Sequence, residues 1–243
     1  MALKTTLNYS PNFNPKKRSP KKIKFIIFHY TGMKSESDAL SKLTDIQSEV
    51  SSHYLIKNNG EIVKMVPDLY IAWHAGKSSW KNHKSLNKNS IGIEIINPGH
   101  EYGYKKFTEK QISSLLKLSR FLMKKYKISP KNILGHSDIA VLRKKDPGEK
   151  FPWEYLSKNK IGIWHQLNKQ DLIKNRKLKI SKIEENIFFS NLFKIGYSKD
   201  KNKIKYLREL AKTFQRRFRQ ELVDGKIDQE CLLISKNLVK IYN

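Results

Sequence analysis

The chain has 243 residues, and its 49 lysines and arginines against 22 aspartates and glutamates give a formal net charge of +27 at pH 7. Hydrophobic residues make up 38% of the chain and aromatic residues 11%, which is enough to build a core and excludes a wholly disordered protein. The charge predicts an anionic partner such as nucleic acid, a membrane surface or a cell-wall polymer, and the single cysteine, Cys231, excludes an intramolecular disulfide.

The beginning of the chain has the composition of an ordinary polar segment. Its residues, MALKTTLNYSPNFNPKK, contain no apolar run of signal-peptide length, and no later run is long enough to span a bilayer. The sequence therefore predicts a protein without a visible export signal.

Four segments of the first half have the patterns of β-strands. Residues 23–29 (IKFIIFH) form a nearly continuous apolar run, which is typical of a strand buried on both faces. Residues 53–58 and 61–66 flank Asn59-Gly60, the pair that most strongly predicts a β-hairpin. Residues 90–96 (SIGIEII) predict another central strand, with its isoleucines on one face and Gly92 and Glu94 on the other.

A helix is predicted after these strands. Thr108 and Gln111 have the spacing of a capping box, and apolar residues then recur at helical spacing from Ile112 to Tyr126. Ser129-Pro130 ends the helix, and a short strand at 132–134 leads into Gly135-His136. The sequence thus predicts an α/β fold, with a mixed central β-sheet flanked by helices.

The last third of the chain is predicted to be helical. Residues 158–179 are polar and lysine-rich, as expected of a linker, and helical patterns follow at 180–195, 202–219 and 229–242. Three short helices predict a small C-terminal three-helix domain. The predicted organisation is a domain at 1–157, a linker at 158–179 and a helical domain at 180–243.

Two histidines occupy positions typical of a ligand-binding crevice. His29 ends the first predicted strand and His136 follows a later one, while Asp146 lies in the turn Asp146-Pro147-Gly148. Two imidazoles and a carboxylate are a recurrent zinc set that leaves a fourth position open for water. On spacing alone, two structural histidines and a turn aspartate are the better interpretation.

Six sequence blocks occur in a fixed order over residues 8–156. They are FIIFHYTG (25–32), SSHYLI (51–56), AWHAGKSSW (72–80), NSIGIEIINPG (89–99), GHSDIA (135–140) and KKDPGEKFPW (144–153). Their order and spacing resemble the zinc-dependent N-acetylmuramoyl-L-alanine amidases related to peptidoglycan-recognition proteins, particularly the AmpD-like branch. The resemblance implies Zn²⁺ as the cofactor and a catalytic domain of the amidase type.

The resemblance also implies a role for individual residues. The metal ligands would be His29, His136 and Asp146; the catalytic residues would be Glu94 and Lys144; and the substrate-binding residues would be Trp73, His74 and Trp80. Zinc would acidify a water molecule and polarise the scissile carbonyl, Glu94 would transfer the proton, and Lys144 would neutralise charge on the carbonyl oxygen. Lys145 competes with Lys144 for the last role.

The C-terminal pattern resembles a small peptidoglycan-binding domain that accompanies some of these amidases. The residues that carry the resemblance are Phe214-Gln215 on a predicted helix and the turn Asp224-Gly225. A helical appendage that only packs on the first domain remains an alternative. A basic cluster that includes Lys212 and Arg216 would also suit nucleic acid.

The expected function is hydrolysis of the amide bond between N-acetylmuramic acid, or its anhydro form, and L-alanine. The expected partner is peptidoglycan or soluble muropeptides, for wall remodelling or recycling, in a bacterial protein. A module that binds muropeptides without cutting them and a basic nucleic-acid-binding protein are the alternatives. The missing export signal favours a cytoplasmic location, a wall-binding tail favours the envelope, and the preference between anhydro and intact substrates stays open.

Overall fold

The computed structural model describes residues 3–200 and 203–242. Within them the strands are β1 Thr6–Leu7, β2 Phe13–Asn14, β3 Phe25–Tyr30, β4 Tyr54–Ile56, β5 Ile62–Lys64, β6 Ile71–Ala72, β7 Ser79–Trp80, β8 His83–Lys84, β9 Ser90–Ile95 and β10 Ile133–Gly135. The α-helices are α1 Glu36–Thr44, α2 Glu109–Tyr126, α3 His136–Ile139, α4 Trp153–Lys158, α5 Lys169–Asn175, α6 Lys182–Ile195, α7 Lys203–Phe218 and α8 Gln229–Tyr242. Short 3-10 helices lie at Pro20–Lys22, Ile46–Ser48, Leu86–Asn89 and Pro130–Asn132.

The main sheet is mixed, as the sequence predicted. Its strand order among the described residues is β1-β5-β4-β9-β3-β10. The β4–β5 pair is antiparallel and is the predicted hairpin, whereas β3, β9, β10 and β4 run parallel to their other neighbours. Because parallel strands end at the same edge of a sheet, the carboxyl ends of β3, β9 and β10 meet there.

The two faces of the central strands differ in what they cover. Ile91, Ile93 and Ile95 of β9 are completely buried in an apolar cluster with leucines of α2, as their alternation predicted. The opposite face of β9 carries Glu94, and the β3–β9 register pairs it with His29. The sheet thus uses one face for packing against α2 and presents the polar pair on the other.

The start of α2 is set by the predicted capping box. The Gln111 backbone N–H donates to the Thr108 hydroxyl at 3.1 Å, and the Thr108 N–H donates to the Gln111 side chain at 2.9 Å. Both contacts satisfy backbone donors that a helix leaves free at its first turn. The helix ends at Tyr126, just before the Ser129-Pro130 pair that predicted its end.

The C-terminal helices α6, α7 and α8 pack onto the sheet-bearing part of the chain. One apolar cluster contains Ile27, Trp80 and Ile139 from the first part and Phe188 and Phe214 from the helices. The predicted helices at 180–195 and 229–242 are α6 and α8, and that at 202–219 is α7, although its predicted first residue, Asn202, lies outside the described residues. The predicted polar linker contains the helix α5, and Leu172 of that helix is buried in the same apolar cluster.

None of the helices in the described ranges combines the length and the apolar character needed to cross a membrane.

Candidate active site

Three buried side chains converge at the carboxyl edge of the sheet. The Nδ1 atoms of His29 and His136 lie 3.0 Å apart, and each is 3.1 Å from Oδ2 of Asp146. The exposed fraction of each residue is 5% or less. The structure therefore brings together the three residues that the sequence predicted as metal ligands.

The local fold explains why these side chains meet. His29 is near the end of β3, and His136 is the first residue of α3, which directly follows β10. Asp146 is joined to α3 because the Ser137 N–H donates to its carbonyl oxygen at 2.8 Å. Gly135, at the turn into α3, could not carry a side chain, since a Cβ there would stand 2.7 Å from Pro147.

The donor set and its geometry fit a divalent metal ion such as zinc. Ligand distances of about 2.0–2.1 Å in a tetrahedron separate ligand atoms by roughly 3.3 Å, close to the 3.0–3.1 Å found among the three atoms. Among the described residues these are the group that meets the spacing of a metal site. Burial, together with the neighbouring His136, lowers the pKa of His29 to about 4, so this imidazole is neutral and has a free lone pair at pH 7.

Asp146 is the anionic member of the group. Burial opposes its ionisation, but the adjacent imidazoles of His136 and His29 hold the pKa of Asp146 well below its usual range. One carboxylate and two imidazole nitrogens are a ligand set that zinc binds when it keeps a position open. The cluster therefore offers the donor atoms that suit a divalent cation.

Glu94 lies beside this cluster. Its Oε1 is 4.0 Å from Nδ1 of His29, and its Oε2 is buried without a hydrogen-bond partner among the described residues. Burial, and then the charge of Asp146, raises the pKa of Glu94 to about 8. A carboxyl group with a pKa near neutrality is suited to exchanging a proton in both directions.

A pocket of about 330 Å³ opens onto the cluster. Glu94, His136 and Asp146 are in its lining, as are Lys144 and Lys145. Both lysine side chains are exposed, but only the charge of Lys144 is among the influences on the pKa of Glu94, which it lowers. This difference favours Lys144 over its neighbour as the cation that acts on Glu94.

The residues predicted to bind substrate lie in three different environments. Trp73 lines the pocket and is 37% exposed, so its ring is free to contact a ligand. His74 also lines the pocket, but it is 7% exposed and both of its ring nitrogens contact protein atoms.

Trp80 has no exposed surface, and it packs edge-on against Tyr197 with the ring centroids 4.8 Å apart. Gly196 lies against it so closely that a Cβ there would stand 2.6 Å from the indole. Trp80 therefore fixes the C-terminal helices to the sheet-bearing part, and the structure does not bring it to the pocket. The physical reason is that α6 and the turn after it cover the ring.

Sequence reasoning missed several residues of the site. Tyr30, His100 and Glu149 form a hydrogen-bonded chain at the pocket, with Tyr30 Oη 2.8 Å from Nδ1 of His100 and Nε2 of His100 3.0 Å from Glu149. Ser90, at the start of β9, contacts His74 from behind the cluster. The only sequence feature that points to Ser90 as part of the site is its position in the same strand as Glu94.

Residues 19–149 match the protein family described as N-acetylmuramoyl-L-alanine amidase. Over 234 residues, the chain is 34% identical to the N-acetylmuramoyl-L-alanine amidase AmiD of Escherichia coli K12. This alignment covers 91% of this chain and 84% of AmiD. Over 167 residues, the chain is 35% identical to the 1,6-anhydro-N-acetylmuramyl-L-alanine amidase AmpD of Haemophilus influenzae. This alignment covers 61% of this chain and 88% of that protein.

The fold is also similar to a solved structure, the complex of E. coli AmiD with the substrate anhydro-N-acetylmuramic acid-L-Ala-D-gamma-Glu-L-Lys. The TM-score is 0.79 at 33% sequence identity, and the alignment covers 91% of this chain and 90% of AmiD. The similarity includes the C-terminal helices, because it extends well beyond residues 19–149.

Proposed function

Because the chain belongs to the N-acetylmuramoyl-L-alanine amidase family, we propose that it hydrolyses the amide bond between N-acetylmuramic acid, or its anhydro form, and L-alanine in muropeptides. The observation that carries the proposal is the convergence of His29, His136 and Asp146 beside Glu94 in an open pocket. His29, His136 and Asp146 would hold Zn²⁺, which fits their donor atoms and spacing. When bound, zinc acts as a Lewis acid that acidifies water and polarises a carbonyl group.

Glu94 and Lys144 carry the proton transfer and the charge stabilisation in this proposal. Glu94 accepts a proton from water as the water oxygen attacks the amide carbon. Glu94 then donates that proton to the nitrogen of L-alanine as the carbon–nitrogen bond breaks, which leaves a carboxylic acid and a free amine. Lys144 stabilises the negative charge that develops on the carbonyl oxygen.

Soluble muropeptides with anhydro-muramic ends are the substrates that we favour. The AmpD relative is named for the anhydro form, and the solved AmiD complex contains an anhydro substrate. The mouth of the pocket carries Lys42, Arg143 and Lys145, which suit the carboxylates of a stem peptide. Trp73 offers an exposed ring for contact with the sugar or the peptide.

The region 180–243 is proposed as a helical domain attached to the catalytic region 1–157 through residues 158–179. The resemblance of the Gln215 and Asp224-Gly225 pattern to a small peptidoglycan-binding domain supports the proposal that these helices bind wall polymer. Gln215 Nε2 lies 3.2 Å from Asp224 Oδ1, and the Gly225 N–H donates to Gln215 Oε1 at 2.7 Å, so the pattern forms one hydrogen-bonded corner. A cytoplasmic or envelope location stays a prediction.

The proposed reaction can be tested by mass spectrometry of purified muropeptides. The native protein should release free stem peptide from muropeptides with anhydro ends; a chelator should abolish the release and added zinc should restore it. Glu94→Gln should lower kcat by about 10²–10⁴-fold, because the amide cannot transfer the proton. Glu154→Gln, at a half-buried glutamate of α4 that pairs with Lys158, is the matched control and should cleave like the native protein.

Two results would contradict the proposal in different ways. Muropeptides that stay intact although the protein holds zinc would favour a module that recognises muropeptides without cutting them. Normal turnover by Glu94→Gln would retain the reaction but remove Glu94 from it.

A further inference from the structure

The segment Trp73-His74-Ala75 lies directly behind both histidines of the proposed metal site. Nε2 of His29 is 3.0 Å from Nδ1 of His74, and Nε2 of His136 is 3.2 Å from the carbonyl oxygen of Ala75. In each histidine the nitrogen that faces this segment is Nε2, and the nitrogen that faces the cluster is Nδ1. Neighbouring residues of one short segment therefore contact the outer nitrogens of both ligands.

The direction of the hydrogen bonds follows from Ser90. Its hydroxyl lies 2.6 Å from the carbonyl oxygen of Leu86, and a carbonyl oxygen can only accept, so the single hydroxyl proton points there. The hydroxyl oxygen lies 3.2 Å from Nε2 of His74, so it accepts a proton from that nitrogen. A neutral imidazole protonated on Nε2 has a free lone pair on Nδ1.

The same reasoning extends to the metal ligands. Nδ1 of each histidine also lies 3.1 Å from Oδ2 of Asp146, which can only accept, and a cation held by the three residues would take the place of a proton there. Each imidazole would then carry its proton on Nε2, so that His29 donates to Nδ1 of His74 and His136 donates to the Ala75 carbonyl. Both Nδ1 lone pairs then point at the position where a cation would be held.

We propose that Ser90 and His74 are positioning residues that fix His29 in its Nε2-protonated tautomer, while the Ala75 carbonyl does the same for His136. This inference rests on the metal-binding role proposed above for the two histidines. Residues behind a metal site orient its ligands and raise their basicity, and their loss lowers metal affinity by about 10–100-fold. His74 thus supports the metal site from within the protein.

Two further contacts hold the segment in place. Oδ1 of Asn87 accepts from the backbone N–H groups of His74 and Ala75, at 3.1 and 2.7 Å. Gly92 provides the space for the imidazole, because a Cβ at Gly92 would stand 2.4 Å from Cγ of His74. The absence of a side chain at Gly92 therefore serves His74, and Gly92→Ala is expected to displace it.

The first test measures the tautomer directly. In the full-length, metal-free protein labelled with ¹⁵N-histidine, long-range ¹H–¹⁵N correlation spectra should find His74 protonated on Nε2. In Ser90→Ala, His74 loses its acceptor, and the His74 signals should move toward a mixture of tautomers while those of His136 stay unchanged. Protonation of native His74 on Nδ1 would overturn the inference whether or not any variant folds.

The second test measures zinc affinity by competition with a chromophoric chelator. Ser90→Ala should bind zinc about tenfold more weakly than the native protein, and His74→Phe about 10–100-fold more weakly. Ser119→Ala is the matched control, because Ser119 is also completely buried, yet its hydroxyl has no partner among the described residues. The control should bind zinc like the native protein.

The possible results separate this inference from the proposed function. If the native protein binds no zinc, the metal site and the inference both fail. If the native protein binds zinc and Ser90→Ala binds it equally well, only the positioning role fails. A loss in Ser90→Ala that Ser119→Ala does not share, together with the tautomer change, supports the role.

Discussion

Lys144 and Lys145 are adjacent, exposed and part of the same pocket lining, but their charges differ in the groups they affect. The charge of Lys144 acts on both Glu94 and His29, whose pKa values it lowers, whereas Lys145 is not among the charges that affect either group. Lys144 is therefore the lysine for which we propose the charge-stabilising role. The pair therefore gives an internal comparison for the proposed charge stabilisation.

Replacing Lys144 by methionine should lower kcat/KM for muropeptides by about 10²–10³-fold, because one group that stabilises a developing oxyanion contributes that much. Methionine keeps the apolar stem and removes only the charge. Lys145→Met should lose less than about fivefold, as expected of an exposed charge away from the reaction. Steady-state kinetics with one purified anhydro-muropeptide checks both variants.

An equal loss in the two lysine variants would mean that the basic rim attracts substrate and that neither side chain takes part in the chemistry. The KM values distinguish the cases, since attraction affects KM and stabilisation of the transition state affects kcat.

At the scale of secondary-structure elements, Asp68 links the end of α2 to the sheet. Its carboxylate accepts from the hydroxyls of Tyr54 on β4 and Tyr126 on α2, each at 2.6 Å, and from Nζ of Lys125 at 2.8 Å. Its side chain is 3% exposed. Burial opposes ionisation, but Lys125 and the two tyrosine hydroxyls hold the pKa of Asp68 well below its usual range.

Asp68→Asn should lower the free energy of unfolding by about 2–4 kcal/mol at pH 7, because it removes the charge from a buried hydrogen-bonded group. A carboxylate with a depressed pKa in the folded state stabilises the protein above the unfolded pKa of about 3.9, and this contribution is lost as the pH falls further. The difference between native and variant should therefore shrink below about pH 4. Urea unfolding at several pH values measures it.

Asp171→Asn, at an exposed aspartate of α5, is the control for Asp68→Asn. Asp171 is 71% exposed and forms an ion pair with Lys174, so its replacement should change the unfolding free energy by less than about 0.5 kcal/mol. A loss for Asp68→Asn that does not depend on pH would indicate disturbed packing, and the ionic contribution would then be absent.

Elements with local signals were predictable from sequence, and contacts between distant segments were not. The Thr108–Gln111 capping box and the Asn59-Gly60 hairpin have their evidence within a few residues, so their existence and position are confirmed. Ser90 and His74 are 16 residues apart, and Asp138 is 79 residues from its partner Arg217. No local pattern encodes such pairs, because the fold alone decides which segments meet. The grouping of His29, His136 and Asp146 was predicted only because whole sequence blocks resembled a family.

At the scale of the whole molecule, the C-terminal helices support the proposed metal site. The side chain of Arg217 on α7 is 2% exposed and forms an ion pair with Asp138 of α3. Its Nη2 also donates to the carbonyl oxygen of Ile133 at 3.0 Å. Tyr197 donates to the other oxygen of Asp138 at 2.8 Å. Asp138 in turn accepts from the N–H of Gly135, so the helices hold the turn that presents His136.

This arrangement predicts that Arg217→Met weakens both the fold and the metal site. Leaving Asp138 buried without its partner should lower the free energy of unfolding by about 3–5 kcal/mol. Zinc affinity should fall by about tenfold or more, because the turn before His136 loses part of its support. Arg219→Met is the matched control: Arg219 is also buried, but its ion pairs with Asp224 and Asp228 lie within the helical region. Its stability should fall similarly while its zinc affinity stays native, as measured by urea unfolding and chelator competition. Equal zinc affinities in the two variants would limit the role of α7 to general stability.

The double variant Arg217→Met/Asp138→Leu should recover part of the lost stability, because it removes both buried charges together.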